Sequence, residues 1–127
     1  GGNITSEKRA TETMNPDYVD PQQPFIFASE SAIFQVNGQR QRTFTVSSLE
    51  KALVMGREEA DILIKSILVS RRHAELTRDT EFVYLRDLGS ANGTVVNGKR
   101  LGVDDKPMLR YNTGIQLADL SLRVQRV

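Results

Sequence analysis

The sequence contains no cysteine, no tryptophan and a single histidine, His73. Without cysteine there is no disulfide framework and no thiolate metal site. One histidine with no cysteine partners cannot build a His/Cys metal centre, and no run of acids flanks it as a nuclease centre would require. An excess of charge of one sign is missing too. Lys and Arg total 17 against 16 Asp and Glu, mixed along the chain, for a formal net charge of +1. That balance gives no large basic field for nucleic acid or an anionic membrane. No apolar run approaches the ~20 residues of a membrane span, and the first residues are not the apolar core of a signal peptide. Nucleic acid and membrane are therefore not expected partners, no cofactor is expected, and the lack of cysteine fits a reducing, cytoplasmic setting.

What remains is a chain of 127 residues, room for one domain with a core that needs no staples. Residues 1–24 are rich in Ser, Thr, Glu and Asn, carry Pro16, Pro21 and Pro24, and have few large apolar side chains. Such a stretch buries too little surface to offset its ordering entropy. It reads as a flexible tail or an expression linker, with Gly1-Gly2 as a cloning remnant and Met14 as a candidate native start. The folded domain is expected over residues 25–127. There, short β-type runs alternate with turn residues: Ile33-Phe34-Gln35-Val36, Thr43-Phe44-Thr45-Val46, Leu53-Val54-Met55, Ile62-Leu63-Ile64, Phe82-Val83-Tyr84-Leu85, Thr94-Val95-Val96 and the closing segment from Leu120. Asn37-Gly38 and Asn97-Gly98 are hairpin signals, since both positions tolerate positive φ. The first predicts a hairpin between the runs at 33–36 and 43–46. Many short strands and no helical stripe of useful length indicate an all-β sandwich or barrel, whose loops are the usual seat of function.

Three loop segments carry the chemistry. Gly56-Arg57 follows an apolar strand; glycine lets the backbone turn sharply, and the guanidinium offers a planar fork suited to phosphate oxygens. On its own such an arginine is equally a solvated surface residue. Ser70-Arg71-Arg72-His73-Ala74-Glu75 combines a hydroxyl with cations that can converge on one anion, although a basic turn reads the same way. The single His73 is expected to be structural, bracing loops through both ring nitrogens. The third segment, Asp87-Leu88-Gly89-Ser90-Ala91-Asn92-Gly93-Thr94, resembles a phosphate-cradling loop but lacks the Gly-Lys-Ser/Thr ending of a nucleotide P-loop and opens onto a strand.

Taken in order and spacing, Gly56-Arg57, Ser70-x-x-His73 and Gly89-Ser90-x-Asn92-Gly93-Thr94, followed by Asn97-Gly98, resemble the forkhead-associated (FHA) domain family, with wording closest to its bacterial members. The resemblance spans residues 25–127. It implies an all-β sandwich of about eleven strands with ligand-binding loops at one end. It implies a phosphothreonine-dependent protein-binding module in Ser/Thr kinase signalling, not an enzyme, that recruits or regulates a phosphorylated partner. Arg57, Ser70 and Arg71 would contact the phosphate, and Asn92 would hold the peptide backbone. Gly56, His73, Gly89, Ser90, Ala91 and Gly93 would shape the site, with Ser90 ordering the Asn92 loop. Ala91 stands where many members carry Thr, so a side-chain contact to ligand is missing there. Peptide selectivity would fall to Ile67 and Leu68, whose apolar character argues against a demand for an acidic residue. The alternatives are an input domain of a larger signalling enzyme or secretion component, a scaffold that has lost phosphate dependence, and self-binding of a phosphorylated tail threonine, Thr11 or Thr13. Of these two, Thr11 is favoured because Met14 lies three residues beyond it.

Overall fold

A computed structural model of the chain describes residues 17–127. Within them the chain forms twelve strands: β1 (Phe25–Ala28), β2 (Phe34–Val36), β3 (Gln39–Gln41), β4 (Thr43–Val46), β5 (Leu53–Gly56), β6 (Ile62–Ile64), β7 (Ala74–Arg78), β8 (Val83–Asp87), β9 (Thr94–Val96), β10 (Lys99–Arg100), β11 (Gly114–Leu117) and β12 (Leu120–Arg126). Two six-stranded sheets result, one in the order β10-β9-β11-β12-β1-β4 and the other β3-β2-β6-β5-β7-β8. Period-two alternation decides which side chains face inward. Phe25 and Phe27 of β1, Leu76 of β7, Leu85 of β8, Leu117 of β11 and Val124 of β12 are fully buried. The two inner faces merge into one apolar core, as expected for packed sheets. Each large side chain enclosed there contributes about 1.5–3 kcal/mol of transfer free energy.

The hairpin at Asn37-Gly38 forms, but with a different partner strand. Asn37 and Gly38 both adopt positive φ, at 51° and 80°, and the turn joins β2 to the fully exposed β3, Gln39–Gln41. Thr43–Val46 crosses instead to the other sheet and pairs with β1, where Val46 is buried. The polar Gln39-Arg40-Gln41 segment shows no apolar alternation; its pairing rests on backbone bonds, turn geometry and the Arg40 guanidinium, whose Nε donates to the Ala32 carbonyl at 2.9 Å. Asn97-Gly98 joins β9 to β10 as its motif indicates.

Packed chain begins before Phe25. Val19 is fully buried, its amide donates to the Leu109 carbonyl at 3.2 Å, and the Leu49 amide donates to the Pro21 carbonyl at 2.8 Å. The Tyr18 ring lies edge-on to Phe82, with centroids 5.2 Å apart. One apolar residue at the right register outweighs the polar composition around it.

Strand register sets where the loops gather. Met55, near the end of β5, pairs with Ala74 at the start of β7. Ala74 pairs with Asp87 at the end of β8. β6 runs parallel to β5, with Gly56 opposite Leu63. The loop after β5, the loop between β6 and β7 and the loop after β8 therefore emerge at one end. In the other sheet Thr94 opens β9 opposite Leu117 of β11, which brings the β11–β12 turn to the same end.

Candidate functional site: a cradle of cross-braced loops

Gly56 ends β5 against the backbone of residues 70 and 71. A Cβ placed on it would lie 2.0 Å from the Arg71 carbonyl oxygen. Its φ is not in the left-handed region, so glycine is required here for close approach and not for the sharp turn expected from the sequence. That approach joins two of the predicted segments. The Arg57 amide donates to the Ser70 carbonyl at 3.0 Å, and the Glu58 amide to the Arg71 carbonyl at 3.3 Å. The Arg57 Nε donates to the Val69 carbonyl at 2.9 Å, which fixes the orientation of its guanidinium. Asp61 closes the loop from the other side: its carboxylate accepts the Val54 amide at 2.9 Å.

His73 is fully buried and joins the second and third segments. The Ser70 amide donates to Nδ1 at 3.0 Å. A backbone N–H can only donate, so the ring proton sits on Nε2 and is donated to the Gly93 carbonyl at 2.8 Å. The same carbonyl accepts the Ala118 amide from the β11–β12 turn at 3.1 Å. Both ring nitrogens are committed, and the imidazole is unavailable as a catalytic base.

The third loop is organised by Asp87, a residue to which the sequence reading assigned no role. Its carboxylate accepts the Gly89 and Ser90 amides at 2.9 Å each, the Ser90 hydroxyl at 2.6 Å and the Thr94 hydroxyl at 2.7 Å. Burial opposes its ionisation, but the Ser90 and Thr94 hydroxyls and the two amides outweigh burial and hold the carboxyl below the ordinary aspartate value. Ser90 Oγ in turn accepts the Gly93 amide at 2.9 Å. Gly89 and Gly93 have φ of 75° and 90°. At Gly93 a Cβ would also meet Cζ of Arg100 at 2.7 Å, but that is the movable end of an exposed side chain, so the positive φ is what requires glycine. The signal for Asp87 was available: an aspartate two and three residues before backbone amides forms an Asx-type turn. Nothing local flagged Asp61 or Arg100.

The candidate ligand-contacting side chains sit on this frame. Ser70 Oγ accepts the Ala91 amide at 3.0 Å, which leaves its own proton to donate outward. Asn92 Nδ2 donates to the Leu68 carbonyl at 2.8 Å, tying the loop after β8 to the loop after β6. Arg57 and Arg71 converge from adjacent loops on the Glu58 carboxylate, at 3.1 and 3.4 Å. Ile67 and Leu68, 90% and 45% exposed, flank Asn92 on an open loop. Arg57, Ser70, Arg71 and Asn92, together with the loop residues Ser90, Ala91 and Gly93, thus share one end of the sandwich. Thr11 and Thr13 lie outside the described residues.

Comparison with known proteins agrees with this geometry. The family model for the FHA domain matches residues 53–118, which include every loop of the cradle. Among curated relatives, protein phosphatase 2C 70 of Arabidopsis thaliana is 29% identical over 88% of this chain and 20% of its own length. The human angiogenic factor with G patch and FHA domains 1 is 31% identical over 79% of this chain and 14% of its own. The chain thus spans about a fifth or less of the length of these relatives. Among solved structures, an FHA domain studied for phosphothreonine-dependent interactions is 24% identical, with a TM-score of 0.64 over 83% of this chain and 98% of that one. The FhaA FHA domain, solved in complex with the intracellular domain of Rv3910, is 25% identical, with a TM-score of 0.62 over 80% of this chain and 99% of that one. By the matched family model, the motif order and the fold, this chain belongs to the FHA domain family.

Proposed function

We propose that this chain is a phosphothreonine-dependent binding module that captures a phosphorylated protein in Ser/Thr kinase signalling. One observation carries the reading. Arg57, Ser70 and Arg71 present donors from two adjacent loops whose backbones are locked together, with the Arg57 amide on the Ser70 carbonyl and the Glu58 amide on the Arg71 carbonyl. A phosphate bears nearly two negative charges and three acceptor oxygens, and charge-assisted bonds from arginine are among the strongest available to it. Because the loops are braced by His73 and Asp87, little ordering entropy is lost on binding. Asn92, held by Leu68, marks where the peptide backbone would lie, and Ile67 and Leu68 offer an apolar surface to residues beyond the phosphothreonine. With His73 committed through both ring nitrogens, the cradle holds a ligand and carries out no chemistry on it.

The relatives support this reading by family and by the phosphothreonine-dependent interactions for which one of the structures was studied. Their greater length favours a second, compatible reading, in which the module directs a larger protein to phosphorylated targets; a protein phosphatase is one such relative. Titration with peptide libraries phosphorylated on threonine, phosphorylated on serine, or unphosphorylated tests the proposal. Binding is expected to require the phosphate, to favour threonine, and to favour apolar residues three positions beyond it. Equal binding of the unphosphorylated library would refute it.

A further inference from the structure

Glu58 stands between the two arginines of the cradle. Its Oε2 accepts from Nη1 of Arg57 at 3.1 Å, and its Oε1 lies 3.4 Å from Nε of Arg71. Its backbone amide is anchored on the Arg71 carbonyl at 3.3 Å, so the carboxylate cannot drift far from either guanidinium. Each carboxylate oxygen occupies one of the two cations that the phosphate reading gives to the ligand. The side chain is half exposed, and ion pairs this exposed are weak. An incoming anion can therefore displace it.

We propose that Glu58 is a built-in competing anion that holds down the affinity of the cradle for every anionic ligand, the doubly charged phosphate most of all. This rests on the phosphate-binding function proposed above. A glutamate or aspartate of an unphosphorylated partner offers one charge and two oxygens. It would replace Glu58 like for like, and the displaced carboxylate, still tethered beside the site, would repel it. A phosphothreonine offers nearly two charges and three oxygens; it meets the same displacement cost and, by its charge, is repelled more strongly. With Glu58 present, the two arginines and one carboxylate leave a local charge of +1; without it, the full charge of both arginines faces every acidic peptide. Glu58 thus lowers affinity for all anions, most for the one of highest charge.

The test compares wild type with Glu58→Gln and Glu58→Ala, using one phosphothreonine peptide, the same peptide with glutamate at that position, and the unphosphorylated threonine peptide, each at low and physiological salt. Both variants are expected to bind the phosphopeptide about threefold to tenfold tighter at low salt. They are expected to bind the glutamate peptide with a smaller gain than that, and to lose affinity more steeply as salt rises. Weaker phosphopeptide binding by Glu58→Gln would make Glu58 a positioning residue and overturn the proposal, as would unchanged affinity for both acidic peptides. If wild type fails to distinguish the phosphopeptide from the threonine peptide, the phosphate reading itself fails, and the proposal falls with it. If wild type distinguishes them but the variants bind as wild type does, only the role of Glu58 is lost.

Discussion

Arg57 is anchored twice, by its backbone amide on the Ser70 carbonyl and by its Nε on the Val69 carbonyl, so its terminal nitrogens are aimed and not searching. Removing a charged hydrogen-bond partner costs roughly 1.5–3 kcal/mol, or about 10-fold to 150-fold in affinity. Arg57→Ala and Ser70→Ala are each expected to lose phosphopeptide binding by that factor in calorimetric titration. The melting temperature should fall only slightly, because neither residue fills the core. Asp87 behaves differently. Its carboxylate orders the loop through the Gly89 and Ser90 amides and the Ser90 and Thr94 hydroxyls, and its carboxyl is held below the ordinary value of 3.8. A carboxyl depressed by folding contributes stability that is fully present above its unfolded value and is lost as pH falls through its folded one. Asp87→Asn is therefore expected to be less stable than wild type at neutral pH, by about 1 kcal/mol given its partial exposure. The difference should narrow below about pH 4. Thermal melts from pH 7 to pH 3 check this; a gap constant across the range would contradict it.

At the scale of the elements, the site is a consequence of register. β5 and β7 bring Gly56 against the backbone of residues 70 and 71, and the His73 amide donates to the Met55 carbonyl at 2.9 Å. The atom a Gly56→Ala side chain would strike is a carbonyl oxygen at 2.0 Å, and no side-chain rotation relieves that contact. The substitution is expected to cost about 1–3 kcal/mol and to abolish binding by pushing Arg57 and Ser70 apart. His73→Ala leaves the Ser70 amide and the Gly93 carbonyl without their ring partner. It is expected to lower both the melting temperature and the affinity, whereas Arg57→Ala lowers affinity alone. Differential scanning calorimetry beside peptide titration separates the two patterns. A His73→Ala protein that melts as wild type does would contradict the bracing role given to His73.

For the whole molecule, the all-β class and both Asn-Gly turns were legible in the sequence, because alternation and positive-φ turn chemistry are local signals. The partner of the Asn37-Gly38 hairpin was not. Gln39–Gln41 has no apolar pattern, and the crossing of Thr43–Val46 to the other sheet is decided by non-local packing. Val19 was missed for the opposite reason, being one apolar residue in a polar stretch held by partners distant in sequence, with its amide on the Leu109 carbonyl and the Leu49 amide on the Pro21 carbonyl. Motif order singled out Arg57, Ser70 and Asn92, and the fold places them at one end of the sandwich. The reason for Gly56, the Asp87 hub and the Glu58 counter-ion depend on which loops touch, and spacing alone does not give that. The assembled cradle also implies a pH dependence. The second phosphate ionisation lies near pH 6, so affinity for a phosphothreonine peptide is expected to fall on acidification from pH 7.5 to 5.5 by titration of the ligand. Constant affinity across that window would mean that one phosphate charge suffices.

The most direct test of the central claim is a calorimetric titration of the wild-type chain with one threonine peptide in its phosphorylated and unphosphorylated forms, followed by amide chemical shifts of the complex. The account predicts saturable binding of the phosphorylated form alone, with the largest shifts at Arg57, Ser70, Ala91 and Asn92. Binding that ignores the phosphate, or shifts confined to the opposite end of the sandwich, would contradict it.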